Sequence, residues 1–582
     1  MDTSYGNSTK KLYSIKTLFN QRVPMRDNVE LAADVYMPDT EGPFPTLLVR
    51  TPYDKLSSHD IQFRTSIVHL AEIGYATVSQ DIRGRFESDG EFYPFVNEAN
   101  DGHDTIEWIG RQPWCNGKIG VIGASYKGLT IWQAGQSSSK YLTSLTPRVA
   151  SSNVYHNWVY TGGAFQLAFG LAWSLGVNGR TSNSPHDWMP EEIHKQKAHW
   201  HLPLIESHES IGRKVGYWSD WINHPNYDNY WHDMKPIDEN YSNINVPALS
   251  SAGWFDVFLQ GTINNFVGAT KFSKNQLAKH NQKMLIGPWV HDLGDRGTIS
   301  IVGDIDFGTN ALIDIRNLED RWHEYWLKGI NNGIMDEPKI KIFVMGKNEW
   351  RESNEWPLRE TQYTSYFLHS DKGANSLLGD GLLNTLPPNN EKPDIYIYDP
   401  NHPVMTIGGS TCCAEENLYA ATIGPRDQRI NESRPDVLVF STPILDKEVE
   451  VTGPIKLIIY ASSSAKDTDW VAKLVDVYPD GYAMNVAEGI LRARYRDSWT
   501  NPVLLNPGEI YKFTVDLWST SNCFLKGHSI RLEITSSNFP HYDRNPNTGN
   551  IFGKDDELLQ AKQTIYHDKL YPSHIILPII PN

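Results

Sequence analysis

Cysteine is scarce in this chain. Its 582 residues contain four, Cys115, Cys412, Cys413 and Cys523. None has CxxC spacing, adjacent Cys412 and Cys413 cannot easily bridge each other, and so few thiols cannot build a disulfide framework. A reducing, cytoplasmic compartment is the expectation. The N-terminus, Met1-Asp2-Thr3-Ser4-Tyr5-Gly6, lacks the apolar segment of a signal peptide, and no stretch approaches the apolar length that spans a bilayer. Clustered positive charge is also missing. The net charge is −16 and the lysines and arginines are dispersed, which disfavours nucleic-acid and anionic-membrane partners. There is no HExxH and no paired CxxC. Gly117, Gly120 and Gly123 are spaced GxxGxxG, which is not the dinucleotide fingerprint. Neither a metal nor a cofactor is expected. Internal repeats and low-complexity linkers are absent as well.

What is present is an ordinary globular composition in a chain too long for one core. Apolar residues make up 40 % and charged residues 21 %, and 582 residues imply two or three domains. Pro45 to Val49, Tyr75 to Ser79 and Lys118 to Ile122 are short apolar runs suited to buried parallel strands. Between them Asp101 to Gly110 reads as a helix, with Ile106 and Ile109 on one face and acids toward its N-terminus. From Ser151 the pattern changes. Trp158 to Leu175 is rich in Ala, Leu, Phe and Trp, and Pro190-Glu191-Glu192 resembles the first turn of another helix. Strand-like runs return at Val246 to Ser250, Lys283 to Ile286 and Lys339 to Val344. After Arg359, Ile455 to Ile459 and Ile530 to Ile534 alternate as half-buried strands do, and Pro479-Asp480-Gly481 supplies a turn. The expected architecture is an α/β domain over 1–150 and 246–359, a helical cap over 151–245 and an all-β sandwich over 360–582.

The main chemical signal is Gly123-Ala124-Ser125-Tyr126-Lys127-Gly128. It follows the strand ending at Ile122 and opens a helix through Thr130, Ile131 and Trp132. A sharp strand-to-helix turn would lift the Ser125 hydroxyl above the sheet, beside the free N–H groups of a helix N-terminus. The motif reads Gly-x-Ser-x-x-Gly, with Lys127 where the second glycine usually stands. Serine is also a favoured helix cap, so the motif by itself leaves capping open. A nucleophilic serine needs a base, and the base needs an orienting acid, each near the end of a later strand. Asp256 follows the strand at Val246 to Ser250, and His291 follows the strand at Lys283 to Ile286. A surface turn for Asp256 and a structural hydrogen bond for His291 are the bland alternatives. His291-Asp292 is also a local pair, although neighbouring residues seldom orient one another across an imidazole.

Pro52-Tyr53-Asp54-Lys55, Gln80-Asp81-Ile82-Arg83-Gly84, Gly90-Glu91-Phe92, Gly123 to Gly128, Gly253-Trp254-Phe255-Asp256 and Gly287-Pro288-Trp289-Val290-His291 occur in this order. Glu488 to Tyr495 and Ser537-Asn538-Phe539-Pro540 follow. Together they resemble the cocaine esterase and Xaa-Pro dipeptidyl-peptidase family of α/β-hydrolases, with α-amino-acid ester hydrolases and glutaryl-cephalosporin acylases among its members. The resemblance spans nearly the whole chain. It implies an α/β-hydrolase domain with a helical cap insertion and a C-terminal jelly-roll domain of galactose-binding-like type. It also implies a triad of Ser125, Asp256 and His291, and an oxyanion hole formed by the Tyr53 hydroxyl and the Tyr126 backbone N–H. Trp158, Trp173 and Phe258 match positions that line the acyl pocket, with core packing as the competing role. The glycine three places after the nucleophile is a feature of this family.

The implied activity is cleavage of a small-molecule carboxylic ester or amide through an acyl-enzyme. A Xaa-Pro dipeptidyl-peptidase is usually longer, with an added N-terminal helical domain for which this chain has no room. An α-amino-acid ester hydrolase holds its substrate amine with carboxylates, yet 151–163 contains no Asp or Glu. An apolar or aromatic acyl group is therefore favoured. The alternative from another class is a non-catalytic carbohydrate-binding protein with a vestigial hydrolase domain. A homo-oligomer is left open.

Overall fold

The computed structural model describes residues 12–56, 61–181, 197–291, 299–412 and 423–581, and of 61–66 the backbone alone. Among the described residues, ten strands form the first sheet: β1 (Ile15–Pro24), β2 (Glu30–Pro38), β3 (Phe44–Thr51), β4 (Ala76–Asp81), β5 (Cys115–Ala124), β6 (Leu142–Arg148), β7 (Leu249–Phe255), β8 (Lys283–Val290), β9 (Ile340–Val344) and β10 (Glu349–Ser353). Their spatial order is β1-β2-β4-β3-β5-β6-β7-β8-β9-β10. The pairings from β4 through β9 are parallel, and β1, β2 and β10 are antiparallel to their neighbours. The parallel strands carry continuous apolar runs because both faces are covered. Helices α1 (Ile61–Glu72), α2 (Glu98–Gly110) and α3 (Tyr126–Gly135) make three of the crossovers. The sheet is thus mixed, parallel at its centre and antiparallel at both edges, and the β1–β2 hairpin turns at Asp27-Asn28, where Asn28 has φ +67°.

The chain leaves this sheet after β6 and returns at β7. Between them lie a π-helical turn at Tyr155–Val159, α4 (Leu167–Gly176), α5 (Gly216–Asn223) and several single turns. The expected continuous helix from Trp158 to Leu175 is interrupted by a two-strand turn, Tyr160–Thr161 with Ala164–Phe165. Gly162 and Gly163 at its apex have φ of +56° and +80°, and a Cβ on Gly162 would lie 1.8 Å from the carbonyl oxygen of Ile490. Close contact with the second sheet therefore breaks the helix. The Pro190-Glu191-Glu192 segment lies outside the described residues.

Among the described residues, the second sheet begins at Gln362 and ends at Ile580, with eleven strands, nearly all antiparallel. Val449–Ser463 pairs with Tyr511–Phe524, and Ser529–Thr535 lies between Leu438–Ser441 and Asp469–Val477. Buried Arg492 joins this sheet to the cap. It donates to Asp469 and to Asp543, and Asp543 also accepts from the Phe165 N–H.

Cys115 and Cys523 are free and buried. Cys412 is disulfide-bonded and is held at 4 % exposure against the main core. Among the described residues, no helix is long and apolar enough to cross a membrane.

Candidate active site

Ser125 is the hinge between β5 and α3. Its backbone has φ 62° and ψ −124°, a conformation costing about 1–3 kcal/mol for a residue with a Cβ. The surroundings hold it there. The Ser125 N–H donates to the Arg148 carbonyl at 3.1 Å, and the Leu129 N–H donates to the Ser125 carbonyl at 3.0 Å. Packing of α3 on the end of β6 also explains the glycine spacing. A Cβ at Gly128 would sit 2.6 Å from the Arg148 carbonyl oxygen, so position 128 must be bare. Lys127, where a second glycine was missing, turns its Cβ toward Gly123, and a Cβ on Gly123 would come within 2.7 Å of it. One bare position suffices for that contact.

The Ser125 side chain does not cap α3. Instead its Oγ lies 3.0 Å from His291 Nε2. His291 follows β8, and its Nδ1 lies 3.1 Å from Asp256 Oδ2. Asp256 follows β7, whose run extends through Phe255, beyond the expected Ser250. Its carboxylate is fully buried, and Oδ1 accepts the Phe258 N–H at 2.5 Å. An ionised carboxylate only accepts, so the proton of the His291–Asp256 bond belongs on Nδ1. The Nε2 lone pair then faces the Ser125 hydroxyl. Three residues from the ends of three different strands thus converge at the carboxyl edge of the sheet, where open α/β sheets bind ligands. The other local candidate, Asp292, lies outside the described residues.

Tyr53 follows β3 and is 3 % exposed. Its hydroxyl oxygen accepts from Trp173 Nε1 at 2.9 Å. A donor feeding the phenol oxygen polarises the O–H and makes it a better donor in turn. Trp173 lies in α4 and stacks on the Tyr126 ring at 5.6 Å and 15°. It therefore contacts both tyrosines named for the oxyanion hole, which its place in the sequence did not reveal. Buried Arg85 secures the preceding residue, donating from Nε to the Pro52 carbonyl at 2.8 Å. Burial lowers its pKa to about 10.

Trp158 and Phe258 stack at 4.7 Å and 19°, and Phe258 meets the His291 ring edge-on at 5.2 Å. Trp158 also packs on Trp173, Phe95 and Phe169 at 5.3, 4.9 and 5.3 Å. Nothing in the sequence marks Phe95 or Phe169, since a lone phenylalanine there reads as core. Trp158 sits in the π-helical turn, a local geometry frequent at functional sites. No group of three or more His, Cys, Asp or Glu among the described residues could hold a metal ion.

Residues 27–292 match the family described as X-Pro dipeptidyl-peptidase (S15 family), and residues 332–576 match the X-Pro dipeptidyl-peptidase C-terminal non-catalytic domain. Cocaine esterase of Rhodococcus sp. (strain MB1 Bresler) is 38 % identical over 588 residues, covering 98 % of this chain and 99 % of that one. The chain belongs to the cocaine esterase and X-Pro dipeptidyl-peptidase family. Among solved structures, an aminopeptidase from a marine sediment archaeon, Thaumarchaeota archaeon, superposes with a TM-score of 0.83 at 25 % identity. It covers 98 % of this chain and 97 % of its own. An α-amino acid ester hydrolase shares the fold over the full length of both chains, with a TM-score of 0.79 at 23 % identity. The α/β-hydrolase domain followed by an all-β domain is the architecture of this family. The chain is a serine hydrolase that cleaves carboxylic esters or amides through an acyl-enzyme, which sets aside the non-catalytic carbohydrate-binding alternative.

Proposed function

We propose that Ser125 is the nucleophile, His291 the general base and Asp256 the acid that orients it. The observation that carries this reading is the unbroken relay from Asp256 through His291 to Ser125, at 3.1 and 3.0 Å. His291 takes the hydroxyl proton as Ser125 attacks the carbonyl carbon, and Asp256 stabilises the imidazolium that forms. The Tyr53 hydroxyl and the Tyr126 N–H receive the developing oxyanion. His291 then gives its proton to the leaving alcohol or amine, and water repeats the sequence to release the acid. Ser125→Ala abolishes ester turnover and labelling by a fluorophosphonate. Undiminished labelling of that variant refutes the assignment.

The substrate we assign is a small-molecule carboxylic ester with an apolar or aromatic acyl group, held beside Trp158, Trp173 and Phe258. Aromatic packing against His291 supports this, as does the name of the Rhodococcus relative. The family description and the archaeal aminopeptidase favour a second reading, hydrolysis of an N-terminal peptide or amide. Rates on p-nitrophenyl esters, aryl amides and Xaa-Pro amides separate the two.

We place the domain boundaries at 1–150 and 246–359 for the hydrolase, 151–245 for the cap and 360–582 for the β-domain. In support, the first sheet ends at Ser353 and the second begins at Gln362. Acidic net charge supports a protein without nucleic-acid or membrane partners. A cytoplasmic location rests on the scarcity of cysteine, with the bonded Cys412 counting against it. Cell fractionation tests the location, and sedimentation tests whether the chain forms a homo-oligomer.

A further inference from the structure

Behind the strand-to-helix turn lies a buried ion pair that the mechanism does not use. Arg50, on β3 three residues before Tyr53, contacts Glu98 Oε2 through Nη1 at 2.8 Å, with side-chain exposures of 1 % and 3 %. Arg50 Nη1 also donates to the Glu98 carbonyl at 3.0 Å, and Arg50 Nε donates to Gln80 Oε1 at 2.9 Å. Glu98 opens α2, and its Oε1 accepts from the Tyr126 hydroxyl at 3.0 Å. The Tyr126 oxygen accepts in turn from the Phe95 N–H at 3.1 Å. Burial, together with the charge of Glu98, holds the Tyr126 phenol well above its ordinary pKa, so it stays protonated and donates.

A buried ion pair is weak evidence for stability, because desolvation offsets most of its attraction. Its connections are more informative. One partner sits on the strand that delivers Tyr53, and the other grips the side chain of Tyr126, whose N–H is the second oxyanion donor. Trp173 touches both tyrosines from the opposite element. Two donors from separate elements stabilise an oxyanion only if their spacing is fixed before the charge develops, and displacement by about 1 Å can cost 10²-fold.

We propose that the Arg50–Glu98 pair is a positioning device for the oxyanion hole, holding the Tyr126 N–H in register with the Tyr53 hydroxyl. That role presupposes the two donors assigned above. Tyr126→Phe and Glu98→Gln test it. The first removes only the hydroxyl that Glu98 grips, leaving the backbone N–H and the ion pair in place. The second keeps the shape of Glu98 and removes its charge. Turnover of p-nitrophenyl butyrate is measured per active site, counted by fluorophosphonate labelling. Inhibition is measured with butylboronic acid, whose boron accepts the Ser125 oxygen while the serine proton passes to His291.

The expected result is a fall in kcat of about tenfold in either variant, with KM within about twofold of the parent. The boronate inhibition constant rises by the same factor as kcat falls, and the double variant loses no more than the worse single one. A merely structural pair lowers thermal stability or the labelled fraction and leaves kcat per labelled site alone. A kcat for Tyr126→Phe within about twofold of the parent overturns the proposal, even if Glu98→Gln fails to fold. Should Tyr53→Phe leave kcat unchanged, or the parent resist labelling at Ser125, the oxyanion-hole or nucleophile reading fails instead, and this role fails with it.

Discussion

Tyr53→Phe removes one atom on which both chemistry and stability depend. In the proposed mechanism the lost hydroxyl is one of two donors to the oxyanion. Removing such a donor costs about 10²- to 10³-fold in kcat, or roughly 2.7–4 kcal/mol of transition-state stabilisation. The same hydroxyl accepts the Trp173 indole N–H at 2.9 Å, with Trp173 itself 1 % exposed. Its removal strands a buried donor, which costs about 1–3 kcal/mol of folding stability. Both effects are therefore expected together. They are told apart by Trp173→Phe, which keeps the Tyr53 hydroxyl and removes the indole N–H. That variant loses stability, but its kcat falls by only about tenfold, through the weaker polarisation of the phenol. The assay is initial-rate turnover of p-nitrophenyl butyrate normalised to fluorophosphonate-labelled sites, with chemical denaturation run in parallel. Parental kcat in Tyr53→Phe alongside reduced stability would show that the hydroxyl serves only Trp173.

Gly128→Ala places a methyl group 2.6 Å from the Arg148 carbonyl oxygen, so α3 must move off β6. Stability should fall by about 1–3 kcal/mol, and Ser125 should label more slowly with fluorophosphonate. Parental labelling kinetics would show that the turn tolerates the shift. Phe258→Ala removes the ring between Trp158 and His291, costing about 3–5 kcal/mol in stability. It should raise kcat/KM for p-nitrophenyl esters of long acyl chains relative to the acetate, and an unchanged ratio would take Phe258 out of the acyl site. His323 is buried, and burial, with Lys328 and Arg148 nearby, pushes its pKa from 6.5 down to about 3. The unfolded chain binds this proton more readily than the folded one, so stability is lost as pH falls from about 6.5 toward 3. Denaturant midpoints across that range should fall less steeply in His323→Phe than in the parent, and parallel curves would place the acid sensitivity elsewhere.

Much of the architecture was legible in the sequence because its signals are local. The runs at Pro45 to Val49, Tyr75 to Ser79 and Lys118 to Ile122 fall within or beside β3, β4 and β5, since a strand buried on both faces must be continuously apolar. Ser125, Asp256 and His291 could be named as candidates because each stands just after a strand, at the edge where loops gather. Family resemblance supplied Tyr53 and Tyr126. By contrast, Gly162-Gly163 is legible as a breaker but its cause is not, because the carbonyl that demands a bare residue there belongs to Ile490 in the other sheet.

Seen on its own, then, the sequence determined the residue types, the succession of buried parallel strands, and the carboxyl-edge positions from which a nucleophile, a base and an acid can be drawn. Tertiary structure alone decided which side chains serve them. Trp173 meets Tyr53 across 120 residues, and Glu98 meets Tyr126 across 28. Such contacts arise when separate buried elements pack, and neither partner's local sequence carries a trace of the other. Periodicity reports which face a residue occupies, whereas hydrogen-bond distance depends on how the faces are brought together.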